Sequence, residues 1–249
     1  MAPGGLENSP IFDPVLGFGG NGALAPGNFT NPAPGLPVPP FDIPGHTGGG
    51  CIPNGPFKDF VVHLGPGPNV NPVSRCVRRD FAPGVFREWG GPANFSYTIG
   101  QSTFGWLGRT AELTVHSAGH GGIGGLYGDM VDTYSSRKCL FDSLCLMVNF
   151  KAHKLTIGGI LAITASDPLF YLHHANVDRF WWSWQLRNPL KRFSEMEGPL
   201  VAFDYGNLAA GNATLDTDLE YGPISPTVKV RDVMNILSSK LCYTYDKIY

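Results

Sequence analysis

Charge is scarce in this chain: its 249 residues carry 18 Lys and Arg against 20 Asp and Glu, for a formal net charge of −2. These charges are interspersed, leaving no basic stripe to follow a phosphate backbone and no polybasic patch for an anionic membrane. Nucleic acid and membrane surfaces are therefore not expected partners, and a small molecule or a protein is. Long apolar runs are also lacking, since Lys151, His153 and Lys154 break the best stretch short of the roughly 18 residues a membrane span requires. The five cysteines, Cys51, Cys76, Cys139, Cys145 and Cys242, show no CxxC spacing, which argues against a zinc ribbon or a thioredoxin-type redox pair. Cys51 and Cys76 are candidates for a disulfide. The opening MAPGGLENSPIFDP has no charged or apolar leader regions and no cleavage site. Asn28, Asn94 and Asn212 nevertheless stand in acceptor sequons that suit secretion of a full-length protein.

Glycine and proline are abundant. The 33 Gly and 22 Pro make up about a fifth of the chain, well above average usage, and predict long loops. Length and a 43% hydrophobic content are compatible with one domain over residues 1–249. Residues 1–56 read as an extended, loop-rich arm, because Gly and Pro interrupt every potential helix. The run FKDFVVHL, from Phe57, reads as a short strand, and VSRCVRRDFAP as at most a helical turn. The first credible helix runs from Gln101 to His120 and is expected to end at the glycines of GHGGIGG. The strongest helix is SDPLFYLHHANVDRFWWSWQLRNP, with Ser166 or Asp167 as cap, Pro168 in the first turn and Pro189 forbidding continuation. Its apolar girth is too wide for a surface helix.

His116 and His120 lie four apart on a helix, so both imidazoles point the same way and can serve one metal ion. A third ligand must come from another element, and His174 is the natural candidate. A histidine on a helix as aromatic as 168–188 pays desolvation unless it is bonded or ligated, so of His173 and His174 one binds metal and the other packs beside it. Three imidazoles suit zinc, copper or iron, whereas magnesium or calcium would call for carboxylates. A zinc hydrolase needs a general base such as the Glu of HExxH, and Ser117, Ala118 and Gly119 stand between these histidines instead.

The run DPLFYLHHANVD, from Asp167 to Asp178, resembles the second-copper signature of tyrosinases, catechol oxidases and haemocyanins, whose fixed positions fall on Asp167, Pro168, Phe170, His174 and Asp178. HSAGHGGIGG, GGGCIPNGPF, CVRRDF and VRDVMNILSSKLCYTY resemble segments of fungal members, so the resemblance covers most of the chain. It implies a mainly α fold, part of a type-3 copper four-helix-bundle core with long Gly/Pro-rich loops. It also implies copper as cofactor, with one ion in this chain on His116, His120 and His174 and two in the complete family site. Phenolic substrates and dioxygen would be the partners, with o-diphenols oxidised to o-quinones and monophenols hydroxylated by some members. By the same resemblance His173 lies beside the ligands, Asp178 orients its helix through a charged partner, and Phe170 packs against the site. Many members have Asn where Ser117 stands, placed to help take a monophenol's proton, so this chain is expected to favour diphenols.

Two departures from the family pattern stand out. Nothing in residues 1–110 resembles the first-copper half with its FLPWHR-type motif, and His46, His63 and His153 lie in unlike contexts that read as non-ligands. ENSPIFDPVLGFGGNGA resembles the segment just after that half in fungal members, so Met1 reads as an internal start. The second departure is RKCLFDSLCLMVNFKAHKLTIGGILAITA, inserted where relatives pass in a few residues; residues 138–165 read as translated intron, since a CGT codon for Arg137 followed by AAG and TGC would spell a splice donor and ACA for Thr164 before an Ala codon an acceptor. Competing readings are a haemocyanin-like copper or oxygen binder and an inactive gene-model fragment.

Overall fold

The computed structural model describes residues 5–25, 45–63, 72–125, 128–130, 166–200, 206, 211–219 and 225–249. The suspected intron, residues 138–165, lies outside these, as do Asn28, Cys139, Cys145 and His153. The fold is mainly helical with long irregular connections, as expected, and among the described residues the strands form two short antiparallel pairs. No helix among the described residues is long and apolar enough to cross a membrane. The chain divides into two compact units, Met1–Asn94 with Thr114–Ser135 and Ile160–His173, and Phe95–Leu113 with Ser136–Gly159 and His174–Tyr249.

In the first unit, Val61 pairs with Cys76 and Val62 with Arg75 across strands β1 (Val61–Val62) and β2 (Arg75–Cys76). The short strand expected near residues 57–64 is thus present. VSRCVRRDFAP, in contrast, supplies a strand rather than a helical turn. Its partners are remote in sequence: Ile52 N–H donates to Val77 O at 3.1 Å, and Cys51 is disulfide-bonded to Cys76. Ile52, Val62 and Val77 close a small apolar core with Phe57 against it. The described part of the N-terminal arm carries two short 3-10 turns, Leu6–Asn8 and Pro10–Phe12, and is anchored. Arg79, fully buried, donates from Nη1 to the carbonyls of Gly19 at 2.5 Å and Gly20 at 2.8 Å, and Phe12 packs on Phe81.

Pro83 opens the helix Pro83–Trp89, where its missing N–H costs nothing, and Ala82 and Val85 turn inward with Trp89 against them. This helix packs against the glycine-rich segment that comes after the histidine pair, where a Cβ on Gly122 would strike Phe86.

In the second unit, Thr103 caps the helix Phe104–Ala111 by accepting from Trp106 N–H at 3.3 Å. From the helix Leu169–Gln185, Trp184 Nε1–H donates to Gln101 O at 2.7 Å and Gln185 Nε2–H to Met234 O at 2.8 Å. Phe104 meets the rings of Trp181 and Trp184, and Phe95 meets Phe180 and Tyr249 edge-on. Strands β3 (Asp218–Leu219) and β4 (Val228–Lys229) form the second pair.

Candidate metal centre

The helix carrying the histidine pair does not stop at the glycines. It runs from Phe104–Ala111 into a π-helical stretch, Glu112–His116, then Ser117–Gly119 in α geometry, then a second π-helical stretch, His120–Gly124. Tertiary hydrogen bonds hold these glycines in place: Ala82 N–H donates to Gly122 O at 2.9 Å and Asp80 N–H to Ile123 O at 3.1 Å. The stop comes at Gly125, whose φ of +52° favours glycine. Widened π turns recur at functional sites, and here they flank both histidines.

His116 and His120 are both buried, with their Nε2 atoms facing each other at 2.9 Å. His120 Nδ1 bonds to the carbonyl of Met130. A carbonyl only accepts, so Nδ1 bears the proton and Nε2 presents its lone pair toward His116. Two imidazole nitrogens that share one ion with bonds of about 2.0 Å in tetrahedral geometry would stand about 3.3 Å apart, so the observed pair needs only a small opening to admit a metal.

His173 joins them: potential ligand atoms of His116, His120 and His173 all lie within 4.8 Å of one another. The His173 ring lies nearly parallel to that of His116, at 15° and 5.6 Å, and its Nε2–H donates to His116 O at 2.9 Å. Burial, followed by the neighbouring His116 and His173 rings, pushes His120 well below the ordinary histidine range; the bond to Met130 opposes this. Burial first and His116 second depress His173 to about 3, against the raising effect of its bond to the His116 carbonyl. His120 and His173 are thus neutral at physiological pH, the state a metal ligand requires. The donor set, imidazoles without carboxylates, fits copper.

His174 comes next on the same helix and is buried at 2% exposure. The signature points to His174 as third ligand, and the cluster of ligand atoms contains His173. His173 bonds the His116 carbonyl through Nε2, which leaves its Nδ1 lone pair on the other side of the ring.

Phe170, 1% exposed, lies 5.6 Å from the His120 ring. Ser117 opens the short turn between the histidines and is half-buried. Asp167 caps the helix by accepting from Leu169 N–H at 3.0 Å, and its carboxylate takes both Nε and Nη2 of Arg79 at 2.8 and 3.0 Å. Among the described residues the side chains bonded to Asp178 are phenols: the Tyr243 hydroxyl donates to its Oδ2 at 2.7 Å and the Tyr245 hydroxyl to the same atom. Burial raises the Asp178 pKa despite these bonds, and burial beside Asp178 raises both phenols. His46 is bonded to Asp80 at 3.1 Å, and His63 is exposed. Sequence reasoning missed the Met130 carbonyl and the Arg79–Asp167 clamp. Neither carries a sequence signal, because each depends on which distant segments meet.

The family model for the common central domain of tyrosinase matches residues 5–187. Tyrosinase ustQ of Aspergillus flavus is 30% identical over 246 residues, covering 96% of this chain and 53% of the relative. The tyrosinase-like protein phomQ2 of Diaporthe leptostromiformis is 29% identical over 248 residues, covering 96% and 49%. The chain therefore spans about half the length of these curated relatives. A solved polyphenol oxidase (mutant G292N) from Thermothelomyces thermophila superposes with a TM-score of 0.68 at 23% identity, over 98% of this chain and 63% of that one, and shares the fold. Fold, histidine site and family model agree on the class, a copper-binding oxidase family. This chain belongs to the tyrosinase family.

Proposed function

We propose that His116, His120 and His174 hold one copper ion in a phenol oxidase of the tyrosinase or catechol oxidase type, which oxidises o-diphenols to o-quinones with dioxygen. The observation that carries this reading is the buried pair of Nε2 atoms facing each other at 2.9 Å, with the back of one ring fixed by a carbonyl. Copper, when bound, supplies the redox chemistry toward dioxygen. The protein's own groups keep the His120 and His173 imidazoles neutral and fix their tautomers through carbonyls, while Phe170 packs beside His120. Reducing dioxygen with a diphenol takes two copper ions in close proximity, so this chain supplies half of the working centre and the remainder belongs to a first-copper half. Ser117 in place of Asn supports a preference for diphenols over monophenols.

Copper content after dialysis tests the ligand set. One ion per chain is expected, lost when His116 and His120 are both replaced by Ala, and lost more completely in His174→Ala than in His173→Ala. Full retention by the His116/His120 double variant would place the ligands elsewhere, and the reverse order would exchange the roles of His173 and His174.

A further inference from the structure

Gly119 stands between the paired histidines, buried, with φ −67° and ψ −50°. Any residue adopts this ordinary helical conformation, and glycine is a poorer helix former there than alanine. Backbone geometry thus gives no reason for glycine at this position. Space does. A Cβ at position 119 would fall within 3.0 Å of Cε1, Nδ1 and Nε2 of His173, closer than real Cβ atoms approach anything. The missing side chain leaves a flat seat on the helix backbone, and the His173 imidazole occupies it. From there its Nε2–H reaches His116 O at 2.9 Å, and its plane lies along the His116 ring.

We propose that Gly119 is a positioning residue for the metal centre: the absence of a side chain seats His173, and the seated ring in turn fixes the backbone and ring orientation of His116. This rests on the copper reading above. A methyl group at 119 expels the imidazole, breaks its bond to the His116 carbonyl and loosens one ligand. Its effect then travels through His173 alone. A role in helix stability would act in the opposite direction, since Ala favours the helix.

The test compares Gly119→Ala, His173→Ala and the double variant in the full chain, with two readouts. The first is affinity for copper(II) in competition with a chelator; Gly119→Ala is expected to weaken it roughly 10 to 100-fold, as removal of an outer partner of a ligand does. His173→Ala should do the same, and the double variant should lose no more than His173→Ala alone. The second is the nitrogen–proton correlation spectrum of the metal-free imidazoles, in which wild-type His173 should appear as the Nε2–H form and Gly119→Ala should shift that ring's signals. Unchanged affinity with unchanged His173 signals overturns the proposal, as do losses that add in the double variant. If wild type binds no copper, the copper reading fails, and the spectra still decide whether Gly119 seats His173. Should Gly119→Ala fail to fold, the double variant, which lacks the ring the methyl strikes, must recover the fold; failure to recover overturns the proposal as well.

Discussion

Replacing Asp167 by Ala removes one half of an ion pair in which both side chains are fully buried. Arg79 would keep the Gly19 and Gly20 carbonyls for Nη1 and a long bond from Nη2 to Phe18 O at 3.4 Å, but Nε would lose its acceptor and Nη2 its carboxylate oxygen, leaving a cation sealed from water without its counter-charge. Breaking a buried pair from one side costs about 3–5 kcal/mol, and loss of the cap on Leu169 about 1 kcal/mol within the same rearrangement. Native stability amounts to about 5–15 kcal/mol, so this is a large share of it. For a chain of this size each kcal/mol corresponds to about 2–4 °C in Tm, which places the expected drop at roughly 6–20 °C. Thermal unfolding measured by circular dichroism reads it directly. Asp167→Asn, which retains an oxygen for Leu169 N–H, should lose less. Converting the pair to apolar residues, Arg79→Met with Asp167→Leu, should recover most of the loss, because the stranded charge and not the missing attraction dominates the cost. A drop below about 1 kcal/mol in Asp167→Ala would refute this account of the buried clamp.

Reduction of Cys51–Cys76 opens a loop with a sequence separation of 25, which the chain-entropy relation values at about 3.5 kcal/mol, so unfolding in a thiol reductant should occur at clearly lower temperature. His120 and His173 have depressed pKa values in the folded state, so the unfolded chain binds more protons; the metal-free protein should be fully stable above about pH 6.5 and lose stability as pH falls from there toward 3. A denaturation midpoint flat across that window would contradict their burial as neutral rings. Oxygen consumption with catechol should be negligible for the 249-residue chain and appear once a first-copper half is restored; turnover on the order of 1 per second by the chain alone would refute the half-centre reading. Deleting residues 138–165 should raise soluble yield if they are translated intron, and an equal or lower yield, with a transcript that retains them, would count against it.

Local pattern was enough for the elements whose cause is local. The i, i+4 spacing of His116 and His120 puts two imidazoles on one side of a helix, and the observed helix Leu169–Gln185 is capped by Asp167, one of the two candidates the sequence offers. Elements whose cause is remote were not legible. The glycines after His120 read as a helix stop, yet the helix continues to Gly124, because Asp80 and Ala82 from another segment bond its carbonyls and Phe86 fills the space their missing side chains leave. Arg75–Cys76 became a strand only because Val61–Val62 and the disulfide lie beside it. Asp178 found phenols from the chain's far end, some 65 residues away. The motifs HSAGHGGIGG and DPLFYLHHANVD pointed to the family to which the chain belongs. Which carbonyl orients each imidazole, and which glycine makes room for one, was decided by packing between segments, where the relevant distances bear no relation to separation along the chain.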